Sequence, residues 1–231
     1  MFGYMGTHLS SAYSTLALSC LVRKPVGNSP HPPLVILLHG YGSNEADLYA
    51  LAEKLPVEFL VISARAPHTL SLGQYAWYAL DYSSGEAVHN ETEAEESRLL
   101  LRRFIDQVCK EFPVDTKRIF IIGFSQGAIM GYSVALTFPS LVCGVGALSG
   151  RLLEQIKPIV NVERVAGEQK LALFVGHGTL DKVLAVAHAH EAKAYLEGLN
   201  ISLTYNEYPI AHAISSDEMQ DLAEWLKQLN T

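Results

Sequence analysis

Short unbroken apolar runs alternate along the chain with longer segments of helical periodicity. The turn-rich stretch Gly27-Asn28-Ser29-Pro30-His31-Pro32-Pro33 is followed by Leu34-Val35-Ile36-Leu37-Leu38, a run whose length and continuity predict a strand buried on both faces. A loop with His39-Gly40-Tyr41-Gly42 comes next. Glu45 to Lys54 then predicts a helix from Leu48, Leu51 and Ala52, and Phe59-Leu60-Val61-Ile62 a second strand. From Asn90 an amphipathic helix is predicted, with Leu100, Leu101, Phe104, Ile105, Val108 and Phe112 on one face. Glu91, Glu93, Glu95 and Glu96 load its first turns, where acidic side chains complement the helix dipole.

The same grammar runs on to the end. Ile119-Phe120-Ile121-Ile122 predicts a strand, and Gln126 to Thr137 a helix stopped near Pro139. Strands are expected at Gly144 to Leu148, at Leu171 to Val175 and, by alternation, at Ile201 to Tyr208. Helices are expected at Lys182 to Leu199 and Ser216 to Leu229. Near the N-terminus, Leu16, Leu18, Cys20 and Val22 alternate with other residues as in a strand, and the absence of a basic n-region and of a long apolar run argues against a signal peptide. Buried strands alternating with helices predict an α/β fold with a mostly parallel sheet covered on both faces, its ligand sites beyond the carboxyl ends of the strands.

Composition narrows the picture. A chain of 231 residues, 49% hydrophobic and 18% charged, accommodates one domain spanning 1–231. The net charge of −7 and the lack of a basic run exclude a nucleic-acid-binding surface. No segment reaches the length of a membrane span. Cys20, Cys109 and Cys143 lie far apart and are odd in number, which predicts free thiols and a cytoplasmic location rather than disulfides or a zinc site.

Chemistry concentrates at Gly123-Phe124-Ser125-Gln126-Gly127. A Gly-x-Ser-x-Gly turn between a strand and a helix lifts its serine out of the sheet in a strained conformation and aims the helix N-terminus at the reacting carbonyl, so Ser125 is the candidate nucleophile and the Gln126 amide a candidate oxyanion donor. A serine needs a base and an acid to orient that base. In this architecture the acid follows the serine and the histidine comes last. Asp181 is the only aspartate between Ser125 and His212, and it lies in the loop after the Leu171 to Val175 strand. His188 and His190 fall within an expected helix and His177 precedes the acid, which leaves His212 as the base. The amide of Tyr41, between two glycines after an earlier strand, is the second candidate oxyanion donor.

These residues resemble the bacterial carboxylesterase and acyl-protein thioesterase (phospholipase/carboxylesterase) family of the α/β-hydrolase fold. The resemblance spans nearly the whole chain. It rests on Leu37-Leu38-His39-Gly40-Tyr41-Gly42, Ala76-Trp77-Tyr78, Gly123 to Ala128, His177-Gly178-Thr179-Leu180-Asp181 and Tyr208 to His212. It implies hydrolysis of acyl esters or thioesters by the same three residues without metal or cofactor, Trp77 near the acyl site, and, in many members, a homodimer. Ser43-Asn44-Glu45-Ala46-Asp47 is closer to bacterial members, so the expected substrate is a small acyl ester rather than a protein. Thioesters, lysophospholipids and lactones are the alternatives, and a non-catalytic binding protein is the contrasting class. One departure stands out: Ala211 occupies the position before the histidine where the family usually has glycine, and its methyl would matter if the backbone there required positive φ.

Overall fold

The protein is described by a computed structural model covering residues 15–83, 85, 87–165, 171–199 and 201–230. In chain order the strands are β1 (Cys20–Arg23), β2 (Leu34–Leu38), β3 (Leu60–Ala64), β4 (His68–Ser71), β5 (Gln74–Ala76), β6 (Leu80–Asp81), β7 (Val88–His89), β8 (Ile119–Phe124), β9 (Gly144–Leu148), β10 (Ala172–Gly178) and β11 (Ser202–Tyr208). The α-helices are α1 (Glu45–Tyr49), α2 (Glu91–Glu111), α3 (Gln126–Thr137), α4 (Val162–Val165), α5 (Ala187–Glu197) and α6 (Ser216–Leu229). Seven strands form one sheet in the order β1-β3-β2-β8-β9-β10-β11. Only the β1–β3 pairing is antiparallel.

The pleat explains why β2 is apolar throughout. Leu34, Ile36 and Leu38 point into a layer with Leu101, Phe104 and Ile105 of α2, Met130 and Val134 of α3, and Ala192 and Leu196 of α5. Val35 and Leu37 point the other way, toward Leu48 of α1 and Met219, Leu222 and Trp225 of α6. Successive strand side chains face opposite ways, so a strand covered on both faces has no position left for a polar residue. In β9 the small residues have a different cause: a Cβ on Gly146 would lie 2.7 Å from Leu222 Cδ1, so α6 packs directly on the sheet there. The expected α/β architecture is therefore present. Among the described residues no helix is long and apolar enough to cross a membrane.

Boundaries differ where side chains compete for the backbone. The helix expected from Lys182 begins only at Ala187, because Asp181 Oδ1 accepts the amides of Val183 (2.8 Å) and Leu184 (2.9 Å) and holds 182–184 in a turn. Glu45 to Lys54 is one short α-helix continued by a 3₁₀ turn over Ala50–Lys54. The strand expected from Leu16 begins only at Cys20, as β1. Two small antiparallel hairpins, β4–β5 and β6–β7, fill the segment between β3 and α2.

Helix α6 starts with a reciprocal cap. The Glu218 amide donates to Ser215 Oγ (3.0 Å), and Glu218 Oε2 accepts from the Ser215 amide. Glu218 is buried, and its Oε1 has no hydrogen-bond partner among the described residues; it occupies the space that a Cβ on Gly176 would need. Burial, and secondarily the charge of Asp221, push the carboxyl from 4.5 up to about 7, against the hydrogen bond from Ser215. A raised acid favours folding while neutral, and that contribution is lost as pH climbs from the unfolded value through about 7. Glu218→Gln, which mimics the neutral acid, is thus expected to exceed the parent in stability by about 3 kcal/mol at pH 8. Urea titrations should show that gap shrinking to under about 1 kcal/mol at pH 5.

Candidate active site

Ser125 lies at the carboxyl end of β8, directly before α3, with φ 53° and ψ −118°. This left-handed conformation follows from how tightly the helix docks. A Cβ on Gly127 would lie 1.9 Å from the Leu38 carbonyl oxygen, and one on Gly123 would lie 2.3 Å from the carbonyl of Gly127. Only glycine fits at either place, and the chain must turn sharply between them. The turn is held by the Ser125 amide donating to the Leu148 carbonyl (2.9 Å) and by the Ile129 amide donating to the Ser125 carbonyl (3.1 Å). The Ser125 hydroxyl is thereby lifted beyond the strand ends.

Ser125, His212 and Asp181, 87 and 31 positions apart in sequence, meet in one line. The Ser125 hydroxyl donates to His212 Nε2 (2.9 Å), and His212 Nδ1–H donates to Asp181 Oδ2 (2.6 Å). The carboxylate fixes the tautomer whose free Nε2 lone pair faces the serine. Burial alone would raise the Asp181 carboxyl. Hydrogen bonds from His212, Leu184 and Val183 outweigh burial and hold it below its ordinary value, ionised opposite the imidazole. The ring of Phe124 lies 4.9 Å from that of His212, centroid to centroid, and limits its swing.

The Asp181 and His212 loops extend the parallel pair β10–β11. Thr179 N–H donates to the Tyr208 carbonyl (2.8 Å), and Leu180 N–H to the Ile210 carbonyl (3.0 Å). A Cβ on Gly178 would approach the Ile210 carbonyl to 2.4 Å and that of Ala211 to 2.5 Å. The glycine this junction requires is therefore Gly178. Among the described residues Ser125 and Ser149 alone are non-glycine residues with positive φ, so Ala211 sits in ordinary backbone and its methyl does not strain the loop. His177, the earlier rival for the base, is buried behind Asp181, and its Nε2–H donates to the Leu184 carbonyl (2.8 Å). Burial holds its pKa below the ordinary histidine value, despite that bond and the nearby Asp181 charge. His188 and His190 face separate carboxylates, Glu191 and Glu207.

The loop of Tyr41 flanks Ser125. A Cβ on Gly40 would lie 3.4 Å from Ser125 Cβ, and neither the Tyr41 nor the Gln126 amide has a backbone acceptor among the described residues. The loop after β2 and the first turn of α3, which carry the two candidate oxyanion amides, thus lie on either side of Ser125. The hairpin β4–β5 is laced to this loop: Gly42 N–H donates to the Tyr75 carbonyl (2.9 Å) and Tyr75 N–H to the Ser43 carbonyl (2.8 Å). Trp77 requires a correction. It was expected beside an acyl group, yet it has 0% exposed surface, and its indole N–H donates to the His39 carbonyl (2.9 Å). It supports the Tyr41 loop from within.

Sequence reasoning also missed the Gln126 side chain. Its Oε1 accepts the Trp77 amide (2.7 Å), and its Nε2 donates to the Tyr78 carbonyl (2.8 Å). A glutamine beside the candidate nucleophile, in an otherwise apolar helix start, was the available signal, because a buried amide demands partners for both of its ends.

A family model described as Phospholipase/Carboxylesterase matches residues 25–230. The chain is 28% identical over 239 residues to acyl-protein thioesterase 1 of Mycosarcoma maydis, covering 92% of this chain and 97% of that protein. To acyl-protein thioesterase 1 of Candida albicans it is 25% identical over 224 residues, covering 90% and 96%. Among solved structures, the Bacillus cereus carboxylesterase aligns with a TM-score of 0.77 at 25% identity, over 94% of this chain and 96% of that one.

The two positions around the histidine loop should differ in what substitution removes. Ala211→Gly is expected to cost about 0.4–1 kcal/mol of stability through added freedom in the unfolded chain, and esterase assays should show no gain in activity. Gly178→Ala should separate the two loops and remove most of the activity, since its methyl meets two carbonyl oxygens.

Proposed function

The chain belongs to the phospholipase/carboxylesterase family and has the α/β-hydrolase fold, and on that premise we propose that it is a serine carboxylesterase acting on small or medium acyl esters through a covalent acyl-enzyme. The observation that carries this reading is the continuous line of hydrogen bonds from the Ser125 hydroxyl through His212 to Asp181. Ser125 Oγ adds to the ester carbonyl carbon while its proton passes to His212 Nε2. The carbonyl π pair becomes an oxyanion, received by the Tyr41 and Gln126 amides. Asp181 stabilises the imidazolium and keeps it oriented. As the tetrahedral adduct collapses, the leaving group takes the proton from His212, and the acyl group stays on Ser125. Water then adds to the acyl-enzyme, giving a proton to His212, and collapse releases the acid and restores the serine hydroxyl.

A second reading is supported by the acyl-protein thioesterases among the relatives: the same machinery acts on a thioester, because the carbonyl is common to both substrates. Side-by-side kcat/KM values for matched oxygen esters and thioesters of increasing acyl length separate the two, the carboxylesterase reading requiring the oxygen ester to be the better substrate. An ionised acid hydrogen-bonded to the base argues against a purely binding role.

Ser125→Ala should abolish turnover and labelling by a fluorophosphonate, and Asp181→Asn should lower kcat by about 10⁴-fold, as removal of the equivalent acid does in serine proteases. Full esterase activity in Ser125→Ala would refute the assignment.

A further inference from the structure

The Tyr41 and Gln126 amides belong to different segments, one in a loop after β2 and the other at the first turn of α3. An oxyanion hole works only if its donors are already placed where the charge develops. The contact of Gly127 with Leu38 fixes the helix against the end of β2, but the chain then leaves the sheet before reaching Tyr41. A separate device must hold that loop.

A buried circuit of side chains joins the two segments. Both ends of the Gln126 amide are engaged by consecutive residues, Oε1 with the Trp77 N–H and Nε2 with the Tyr78 carbonyl. The Trp77 indole N–H then reaches the His39 carbonyl, and the Ser97 hydroxyl donates to the Trp77 carbonyl from α2. His39 continues the circuit. Its Nδ1–H donates to the Gly40 carbonyl (2.7 Å), while its Nε2 accepts the Ala66 amide (3.0 Å). That pattern requires the neutral ring, and burial, the largest influence on it, holds the His39 pKa below the ordinary histidine value. His39, Trp77, Tyr78, Ser97 and Gln126 are all buried.

The Gly40 carbonyl and the Tyr41 N–H belong to one peptide unit. Because that unit is planar and trans, its C=O and N–H point in opposite directions, so a hydrogen bond that anchors the carbonyl also aims the amide. We propose that the side chains of Gln126, Trp77 and His39 form a brace that sets the separation and direction of the two oxyanion donors, making them positioning residues for the transition state. This inference rests on Ser125 being the nucleophile.

The test uses Trp77→Phe, which keeps an aromatic ring and removes the indole N–H, and Gln126→Met, which keeps length and burial but removes both hydrogen bonds. For each, kcat and KM are measured on an aryl ester together with the Ki of a trifluoromethyl ketone, which forms a tetrahedral oxyanion adduct with a serine nucleophile. The expectation is a fall in kcat of about 10- to 10²-fold, short of or equal to the loss of a whole donor, with KM within about twofold. The ketone Ki should rise in step with the loss of kcat/KM. Circular dichroism melts identify variants that have simply unfolded; if Trp77→Phe is one, Gln126→Met and Ser97→Ala decide, the latter with a smaller loss of the same kind. Parent-like kcat in folded Trp77→Phe and Gln126→Met overturns the brace, as does a raised KM at unchanged kcat, which would make Trp77 a substrate contact. The outcomes are separable from those for the nucleophile. Activity in Ser125→Ala defeats the reading of the whole site, whereas an inactive Ser125→Ala beside parent-like brace variants defeats the brace alone.

Discussion

The contact between the first turn of α3 and the carboxyl end of β2 governs this molecule. With the Leu38 carbonyl oxygen 1.9 Å from where a Gly127 Cβ would be, the helix cannot be moved back without opening the sheet. The chain between β8 and α3 must therefore reverse within one residue, and Ser125 carries the resulting positive φ. A non-glycine residue held in such a region costs about 1–3 kcal/mol and persists only where its surroundings over-determine it. Here they do so through the amide bond to Leu148, the helix bond from Ile129, and an apolar layer in which Ala128 and Met130 of α3 are fully buried. Strain at one backbone position is thus offset by packing across the whole sheet.

The loops of Asp181 and His212 depend on a second close approach, between the ends of β10 and β11. Parallel register brings Gly178 opposite Tyr208, and two further hydrogen bonds carry that pairing past the strand ends into the loops of Asp181 and His212. Because β8, β9 and β10 are neighbours in the sheet, loops distant in sequence emerge side by side at one edge. Their side chains then need only short reaches to meet, and the carboxylate is charged beforehand by hydrogen bonds that outweigh its burial.

Much of this was legible in the chain, for reasons that differ by element. The strands Leu34–Leu38, Ile119–Phe124 and Gly144–Leu148 announce themselves because burial on both faces leaves no polar position. Ser125, Asp181 and His212 could be chosen from chain order and loop position, since parallel topology restricts which loops converge. The start of α5 was misplaced because Asp181 competes for the amides of Val183 and Leu184, a side-chain contact that periodicity does not register. The hairpin β4–β5 is held by bonds to the Tyr41 loop rather than by apolar alternation, which leaves it without a pattern of its own. Ala211 was read against glycine at the same position, whereas the space is provided from across the junction by Gly178.

Trp77 shows why local reading fails for a residue whose partners are remote. An aromatic after a short strand suits core or ligand equally well, and the deciding fact is that its indole N–H finds the His39 carbonyl, 38 positions away. Once that bond is present, the polar groups around it are tied together. Leaving any one of them unpaired in the interior costs about 1–3 kcal/mol, so Gln126, Trp77 and His39 are constrained as a set rather than singly. The same bonds that satisfy these buried groups also tie down the loop bearing the Tyr41 N–H, so pairing the interior polar atoms and fixing that loop are one constraint.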